Sequence, residues 1–312
     1  MTRTVLVTGA AGYLGCILVP ALLKAGFHVI AFDTFDRGDV PLAAFASDRK
    51  FEPVRADVRD EGSLRSAMCR ADVLIPLAAR VGAPACANNP LDARSTNLEA
   101  IRSLIELKSA DQILIYPTTA SSYGNVGNAG ACSEETPLNP VSLYGSTKSA
   151  AEQLVVDGGH GVALRLSTLF GMSPRMRLDL LVNHLTYRAM TERAVVVLSA
   201  NAKRNFVHVS DAASAFLHVI DRYATARGQI YNVGLSTGNV SKNDICARIQ
   251  QQIADFIWLE ASTGADSDPR DYTVSSEKLE ATGWKPRHTL DDGISELIKG
   301  YSMLGHGRLS NA

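Results

Sequence analysis

Tyr144 and Lys148 lie in the stretch Asn139-Pro-Val-Ser-Leu-Tyr-Gly-Ser-Thr-Lys148-Ser-Ala-Ala-Glu-Gln-Leu154, and their types and spacing offer proton transfer. On an α-helix, residues four apart share one face. A lone tyrosine ionises near pH ~10 and is a poor base at neutrality. A neighbouring ammonium favours the phenolate and brings proton exchange with a substrate hydroxyl into range. Ser142 is placed as the N-cap, and Pro140 marks where the helix cannot extend backwards. The same spacing arises by chance in packed helices, so its surroundings decide.

Those surroundings begin with Gly9, Gly12 and Gly15, which follow a strand-like run over residues 4–7 and open a helix over 17–23. In this GxxGxxG spacing the first glycine turns sharply off the strand. The second lets backbone approach a pyrophosphate, and the third lets helix and sheet pack closely. The helix N-terminus adds N–H donors and the positive end of its dipole. Asp33 ends the next strand, where a carboxylate accepts the ribose hydroxyls of NAD and repels the extra phosphate of NADP. Arg37 close behind leaves NADP disfavoured rather than excluded. Tyr13 and Leu14, within the turn, and Val58 are counted in the cofactor lining. Asp57 is assigned to the adenine amino group, with a loop cap as its alternative; Asp60 reads as a helix N-cap.

The elements positioning these groups alternate. Strands are expected over 4–7, 28–32, 51–56, 73–77, 112–116 and 162–166, with helices over 61–69, 90–108 and 143–156 between them. Short apolar strands separated by helices predict an α/β fold: a Rossmann-type, doubly wound parallel sheet. Beyond Leu166 the rhythm loosens. Helices are expected over 178–190 and 212–223, the latter capped by Ser210-Asp211, with extended segments over 194–198, 206–209 and 229–233. A smaller, interleaved C-terminal substrate-binding domain follows from this. We assign 1–167 and 206–234 to the NAD-binding domain, and 168–205 with 235–312 to the substrate-binding region. Residues 264–270 read as an interrupting loop, and Gly305 onward as a frayed tail.

Composition narrows the partners. The 312 residues carry 31 Lys plus Arg against 32 Asp plus Glu, which gives no general reason to expect nucleic acid or an anionic membrane. The five cysteines (Cys16, Cys69, Cys86, Cys132, Cys246) are scattered and show no metal-ligand spacing. No apolar run approaches a membrane span, and the N-terminus lacks signal-peptide organisation, so a cytoplasmic location is expected. Thr118, Thr119, Ser121 and Ser122 follow the fifth strand at the ligand-binding edge of such a sheet, where one hydroxyl could bond the reacting oxygen. Residue types do not choose among the four.

With these motifs in place, the chain resembles the extended short-chain dehydrogenase/reductase family, in its nucleotide-sugar epimerase/dehydratase branch. The most specific matches are Thr8-Gly9-x-x-Gly12-x-x-Gly15, Tyr144-x-x-x-Lys148 and the segment from Arg204 to Asp211. The resemblance implies that Leu77, Ala78 and Ala79 line the cofactor and that Asn97 supports the loop edge beside it. It places the catalytic hydroxyl on Thr119, counting back from Tyr123-Gly124, and Lys148 on the nicotinamide ribose as well as beside Tyr144. It also makes Arg204, Arg270 and Asn183 contacts to a nucleotide-diphosphate sugar, with Ser121 near the sugar. A homodimer is implied, pairing the helices over 90–108 and 143–156 in a four-helix contact.

The reaction implied is 4-epimerisation: NAD-dependent oxidation to a 4-keto sugar, rotation, and hydride return on the other face. A 4-ketoreductase using external NAD(P)H would employ the same Tyr144 and Lys148 and is the alternative. Dehydratases of the branch carry Thr-Asp-Glu at the strand end, where this chain has Thr119-Ala120-Ser121. Glu134 and Glu135 follow Ser133 and read as a helix cap or solvated face. A 3,5-epimerase would need a second acid/base, for which Cys86 is the candidate if its thiol pKa is lowered, though a lone cysteine in an apolar loop more often packs. Ser167-Thr168 stands where the familiar hexose 4-epimerases carry Phe-Asn. A cofactor-binding protein without turnover is the reading from a different class.

Overall fold

The structure, a computed structural model, describes residues 3–36, 41–126, 130–261 and 270–304. Arg37, the 264–269 part of the expected loop, and the tail from Gly305 lie outside the described residues. The chain divides into two compact units. The first comprises Met1–Ser122, Pro140–Arg165 and Ala213–Tyr231; the second comprises Tyr123–Asn139, Leu166–Ala212 and Asn232–Ala312. The backbone passes from one to the other five times, at 122/123, 139/140, 165/166, 212/213 and 231/232. Residues 123–139, 166–167, 206–212 and 232–234, expected in the cofactor domain, belong to the second unit.

In the first unit β1 (Thr4–Thr8), α1 (Gly15–Lys24), β2 (His28–Asp33), β3 (Phe51–Arg55), α2 (Glu61–Met68) and β4 (Val73–Pro76) follow in order. Next come α3 (Ala83–Asn88), α4 (Pro90–Arg94), α5 (Ala100–Leu107), β5 (Ile113–Thr119) and α6 (Leu143–Asp157). The seven-stranded sheet has the order Ile230–Val233, Val162–Leu166, β5, β4, β1, β2, β3. β1 pairs in parallel with β2 on one side and β4 on the other, so the strand order reverses direction beside β1. That reversal opens a crevice at the carboxyl ends of β1 and β4.

Burial follows from this topology. β1, β4 and β5 are buried on nearly every residue, as sheet strands covered on both faces must be. Leu6, Ile30, Leu74, Leu114 and Tyr116 pack with Leu64 and Met68 of α2, Ile101 and Leu104 of α5, and Ala151 and Val155 of α6. Each such aliphatic side chain contributes roughly 1.5–3 kcal/mol. β3 pairs only with β2 and carries Pro53, which an edge strand tolerates because it need not donate on both sides.

The helix expected over 90–108 is three pieces. α4 and α5 are joined by a wide, π-helical turn over Ser95–Glu99, which re-aims the side chain of Asn97. Asp60 caps α2, accepting from the N–H groups of Gly62 and Ser63. Ser142 caps α6 through Gly145 N–H at 3.1 Å.

The second unit is built on four two-stranded pairings and three longer helices. Thr168–Phe170 runs parallel to Phe206–His208, Ala194–Val197 to Ile257–Glu260, and Ala131–Cys132 to Thr273–Val274. Lys203–Arg204 is antiparallel to Val240–Ser241. The helices are Leu181–Thr191, Lys242–Gln252 and Leu290–Met303, the last two opened by Ser241/Asp244 and Thr289/Asp292 capping boxes. Two local expectations are corrected. The helix beginning at Val209 already includes Ser210 and Asp211. Asp211 is not its cap, because its carboxylate accepts the His288 backbone N–H (2.9 Å) and bonds the His288 ring (3.1 Å). Ser133 starts a turn rather than a helix, and Glu134 Oε1 accepts Asn232 N–H at 2.7 Å.

Candidate active site

Gly9 ends β1 with φ of 66°, a left-handed conformation that favours glycine. A Cβ there would stand 2.6 Å from Ala78 N and 2.7 Å from Ala78 Cα, so the absent side chain lets β1 and the residues after β4 close together. Gly15 is equally constrained: its Cβ would meet Ala10 O at 2.4 Å and Gly9 O at 2.6 Å. Gly12 differs, since a Cβ would touch only Gly9 O, at 3.1 Å. Two glycines therefore make the turn possible, and the third leaves its outer wall low. Tyr13 and Leu14 are buried beneath it. The turn is a cradle of backbone at a helix start, which suits a pyrophosphate.

Asp33 is tied to the cradle. Its Oδ2 accepts Ala11 N–H at 3.0 Å and its Oδ1 accepts Phe35 N–H at 2.9 Å. These bonds fix the carboxylate, and each oxygen keeps a lone pair for a hydroxyl. Ala78 N–H donates to Thr8 Oγ1 at 3.3 Å, and Leu77 N–H to Thr8 O at 3.0 Å, anchoring the stretch 77–79 beside the turn. Val58 is partly buried against the core under α2. Asp57 is held by Arg59, Nε to Oδ1 at 2.9 Å and Nη2 to Oδ2 at 2.5 Å. This hydrogen-bonded pairing holds the Asp57 carboxyl below its ordinary range.

Asn97 is 1% exposed and clamps the loop after β4. Its Oδ1 accepts Arg80 N–H at 2.8 Å, while its Nδ2 donates to Arg80 O at 2.9 Å and Thr147 Oγ1 at 3.3 Å. Cys86 joins the same clamp, packed as a lone cysteine in an apolar loop more often is. It is 0% exposed, its thiol donates to Arg80 O at 3.2 Å, and burial pushes the thiol up. A general base needs the thiolate and access to the ring; Cys86 has neither.

Tyr144 and Lys148 lie on the first two turns of α6, Tyr144 half-buried and Lys148 4% exposed. The helix start meets the turn that follows β5, where Ser122 Oγ donates to Gly145 O at 3.5 Å; the same carbonyl accepts Ser149 Oγ from within the helix at 2.8 Å. Among the four hydroxyls at the end of β5 and in the turn that follows, the structure joins Thr119 to Ser121. Thr119 Oγ1 donates to Ser121 Oγ at 2.8 Å and accepts Ser121 N–H at 3.1 Å. Ala120 between them is fully buried and offers no acid.

Three buried groups around Lys148 were not singled out from sequence. Its Nζ lies 4.1 Å from the centroid of the Tyr116 ring, and Glu152, one turn along α6, is paired with Arg165 at 2.6 Å. An arginine inside the apolar strand Val-Ala-Leu-Arg-Leu, and a glutamate four residues after Lys148, were the available signals. Burial pulls Lys148 down to about 7, opposed by the Glu152 charge.

In the second unit Arg204 is 6% exposed on its short strand, and Arg270 is half-buried. The segments bearing them adjoin, since Lys203 N–H donates to Asp271 Oδ1 at 2.9 Å and Lys203 O accepts Tyr272 N–H at 3.0 Å. Asn183 is 0% exposed. Its Oδ1 accepts Gly171 N–H at 3.0 Å and its Nδ2 donates to Arg177 O at 3.0 Å, so both ends of the amide hold a loop.

The chain belongs to the NAD dependent epimerase/dehydratase family, whose pattern it matches over residues 5–234. It is 28% identical over 271 residues to a rice (Oryza sativa subsp. japonica) UDP-glucose 4-epimerase 4, covering 76% of this chain and 73% of that protein. Its fold matches the UDP-glucuronic acid 4-epimerase of Bacillus cereus, solved with UDP-glucuronic acid and NAD, at a TM-score of 0.84 and 22% identity over 96% and 99% of the two chains. The dTDP-glucose 4,6-dehydratase of Bacillus anthracis, solved with NAD, gives 0.82 at 22% identity, covering 97% of each chain. At these identities the structures establish the fold, which epimerases and a dehydratase share.

Proposed function

We propose that this member of the family is an NAD-dependent nucleotide-sugar 4-epimerase with Tyr144 as its base. The observation that carries the reading is that α6, with Tyr144 and the buried Lys148 on one face, lies against β5 and the turn after it, where Lys148 meets the Tyr116 ring and the strand ends in the Thr119–Ser121 hydroxyl pair. The cradle of Gly9, Gly12 and Gly15 with the fixed Asp33 carboxylate fits a dinucleotide with an unphosphorylated ribose, hence NAD. NAD, when bound, supplies a reversible hydride acceptor. Tyr144 Oη removes the proton of the sugar 4-hydroxyl as the C4 hydrogen leaves, and returns a proton to the same oxygen after the ring has turned over. The Lys148 ammonium favours the phenolate and holds the nicotinamide ribose. Thr119 or Ser121 bonds the reacting oxygen. In the second unit Arg204 and Arg270 suit diphosphate oxygens.

Dehydration is disfavoured because Ala120 and Ser121 supply no carboxyl group and Glu134 is committed to Asn232. A 3,5-epimerase reading loses its candidate acid/base with the burial of Cys86. The purified protein is to be incubated with a panel of UDP-, dTDP- and GDP-sugars in deuterated buffer, followed by NMR and by cofactor absorbance. A C4 epimer formed without added cofactor and without carbon-bound deuterium is the expected result. Stoichiometric consumption of added NADH would establish the ketoreductase instead, and deuterium at C3 or C5 an enolising epimerase. No turnover together with NAD binding would leave a binding protein.

We also infer a homodimer through the Ser95–Glu99 turn, α5 and α6, where Leu98, Ala150 and Leu154 line a groove with Arg102 and Asp157; light scattering measures it. No helix among the described residues is long and apolar enough to cross a membrane. A cytoplasmic location, without a nucleic-acid partner, accords with the nearly balanced charge.

A further inference from the structure

Lys148 places its amine in a nearly closed interior and forms no ion pair among the described residues. What faces its ammonium is the Tyr116 ring on β5, at 4.1 Å from Nζ to centroid. Aromatic faces attract a cation without carrying a countercharge. The carboxylate that could have served, Glu152, is gripped by Arg165: Nε lies 3.1 Å from both Oε1 and Oε2, and Nη2 lies 2.6 Å from Oε1. Both members of that pair are buried, at 4% and 2% exposure. Tyr116 does not compete as a base, because burial, then its neighbours Tyr144 and Glu152, push its ionisation well above the ordinary phenol range. Its hydroxyl is buried with no partner among the described residues, so the ring rather than the hydroxyl accounts for the contact.

We infer that Tyr116 is a positioning residue for the proton-transfer pair, its ring seating the Lys148 side chain through a cation–π contact that favours the protonated form of the amine beside the Tyr144 phenol. The inference rests on the Tyr144–Lys148 reading above. A carboxylate in the place of the ring would hold the ammonium but cancel its field at the phenol. An aliphatic side chain would leave a desolvated cation with no partner. Tyr116 from β5 meets the Lys148 amine, Glu152 from α6 acts on it with Arg165 paired to that carboxylate, and Tyr144 acts on the same Tyr116 ring.

Ionisation of Tyr144 can be read without any substrate, as the phenolate absorbance of the full chain minus that of its Tyr144→Phe variant across pH. The measurement is made in the parent, in Tyr116→Phe and Tyr116→Leu, and with fluorinated phenylalanines placed at position 116. The parent midpoint should lie below the ordinary value of ~10. Tyr116→Phe should preserve it, and Tyr116→Leu should raise it by about one pH unit, a tenfold loss of phenolate. Fluorination keeps the ring's shape while weakening its negative face, so the midpoint should climb with each added fluorine even if the leucine variant fails to fold. A midpoint indifferent to fluorination overturns the cation–π role while leaving the Tyr144–Lys148 reading intact. A parent Tyr144 that titrates as an ordinary phenol overturns that reading, and this inference with it.

Discussion

Alanine at Gly12 and alanine at Gly9 should fail in opposite ways, because the two glycines lack side chains for different reasons. A Cβ on Gly12 meets only Gly9 O, at 3.1 Å, a contact relieved by a shift of a few tenths of an ångström. Folding stability should therefore fall by about 1 kcal/mol or less, in the ordinary range for a surface substitution. The same methyl occupies the ground a pyrophosphate must cover to reach the backbone donors. Losing one or two hydrogen bonds to a charged group, at ~1.5–3 kcal/mol each, predicts NAD binding at least about tenfold weaker. At Gly9 the methyl would press on Ala78 backbone at 2.6 and 2.7 Å, and φ of 66° adds left-handed strain. Strain of ~1–2 kcal/mol and overpacking of ~1–3 kcal/mol together predict a loss of about 2–5 kcal/mol. Urea unfolding reads the stabilities and titration calorimetry reads NAD affinity. A Gly12→Ala protein that binds NAD as the parent does would refute the pyrophosphate role; parental stability in Gly9→Ala would refute the packing argument.

Three further outcomes follow from the same geometry. Asn97→Leu should cost about 1–3 kcal/mol, since it strips the Arg80 N–H of its acceptor and leaves the Arg80 carbonyl only the Cys86 thiol, and the Arg80 amide should lose hydrogen-exchange protection; unchanged protection counts against the clamp. Cys86→Ser keeps a donor for Arg80 O, so turnover should stay within about twofold; a folded variant with turnover lost would restore the thiol to the chemistry. Lys148, held down to about 7 when folded and near ~10.4 when unfolded, makes the unfolded chain bind more protons between those values. Its contribution to stability is therefore fully present above the unfolded value and lost as pH falls through the folded one. The urea midpoint of the apoprotein should rise from pH ~7 towards ~10 and lose that rise in Lys148→Met.

The glycine turn was legible because three spacings and a strand-end carboxylate constrain one another, and α6 because its cap, its length and its apolar face agree. Asn97 could be placed beside the cofactor loop but not explained, since the turn that aims it inward is a local widening with no residue-level mark. Cys86 and Asn183 could not be resolved from sequence for one shared reason. Sequence offers a polar atom's chemistry but not the backbone groups that will claim it, and Arg80, Gly171 and Arg177 claimed these two. Tyr116 escaped notice because a tyrosine in a buried strand reads as core until the cation above its face is seen. The unit boundaries drifted at 123–139 and 206–212, where short strands and turns carry little periodic signal.

The five passages of the backbone between units bear on how the protein can be made. The last strand at one edge of the large sheet, Ile230–Val233, is translated long after the glycine turn has left the ribosome. An N-terminal fragment truncated before that strand is a sheet with an unsheltered margin, prone to stick to its copies. No single cut in the gene yields either unit intact, so swapping one for a relative's requires grafting three segments at once.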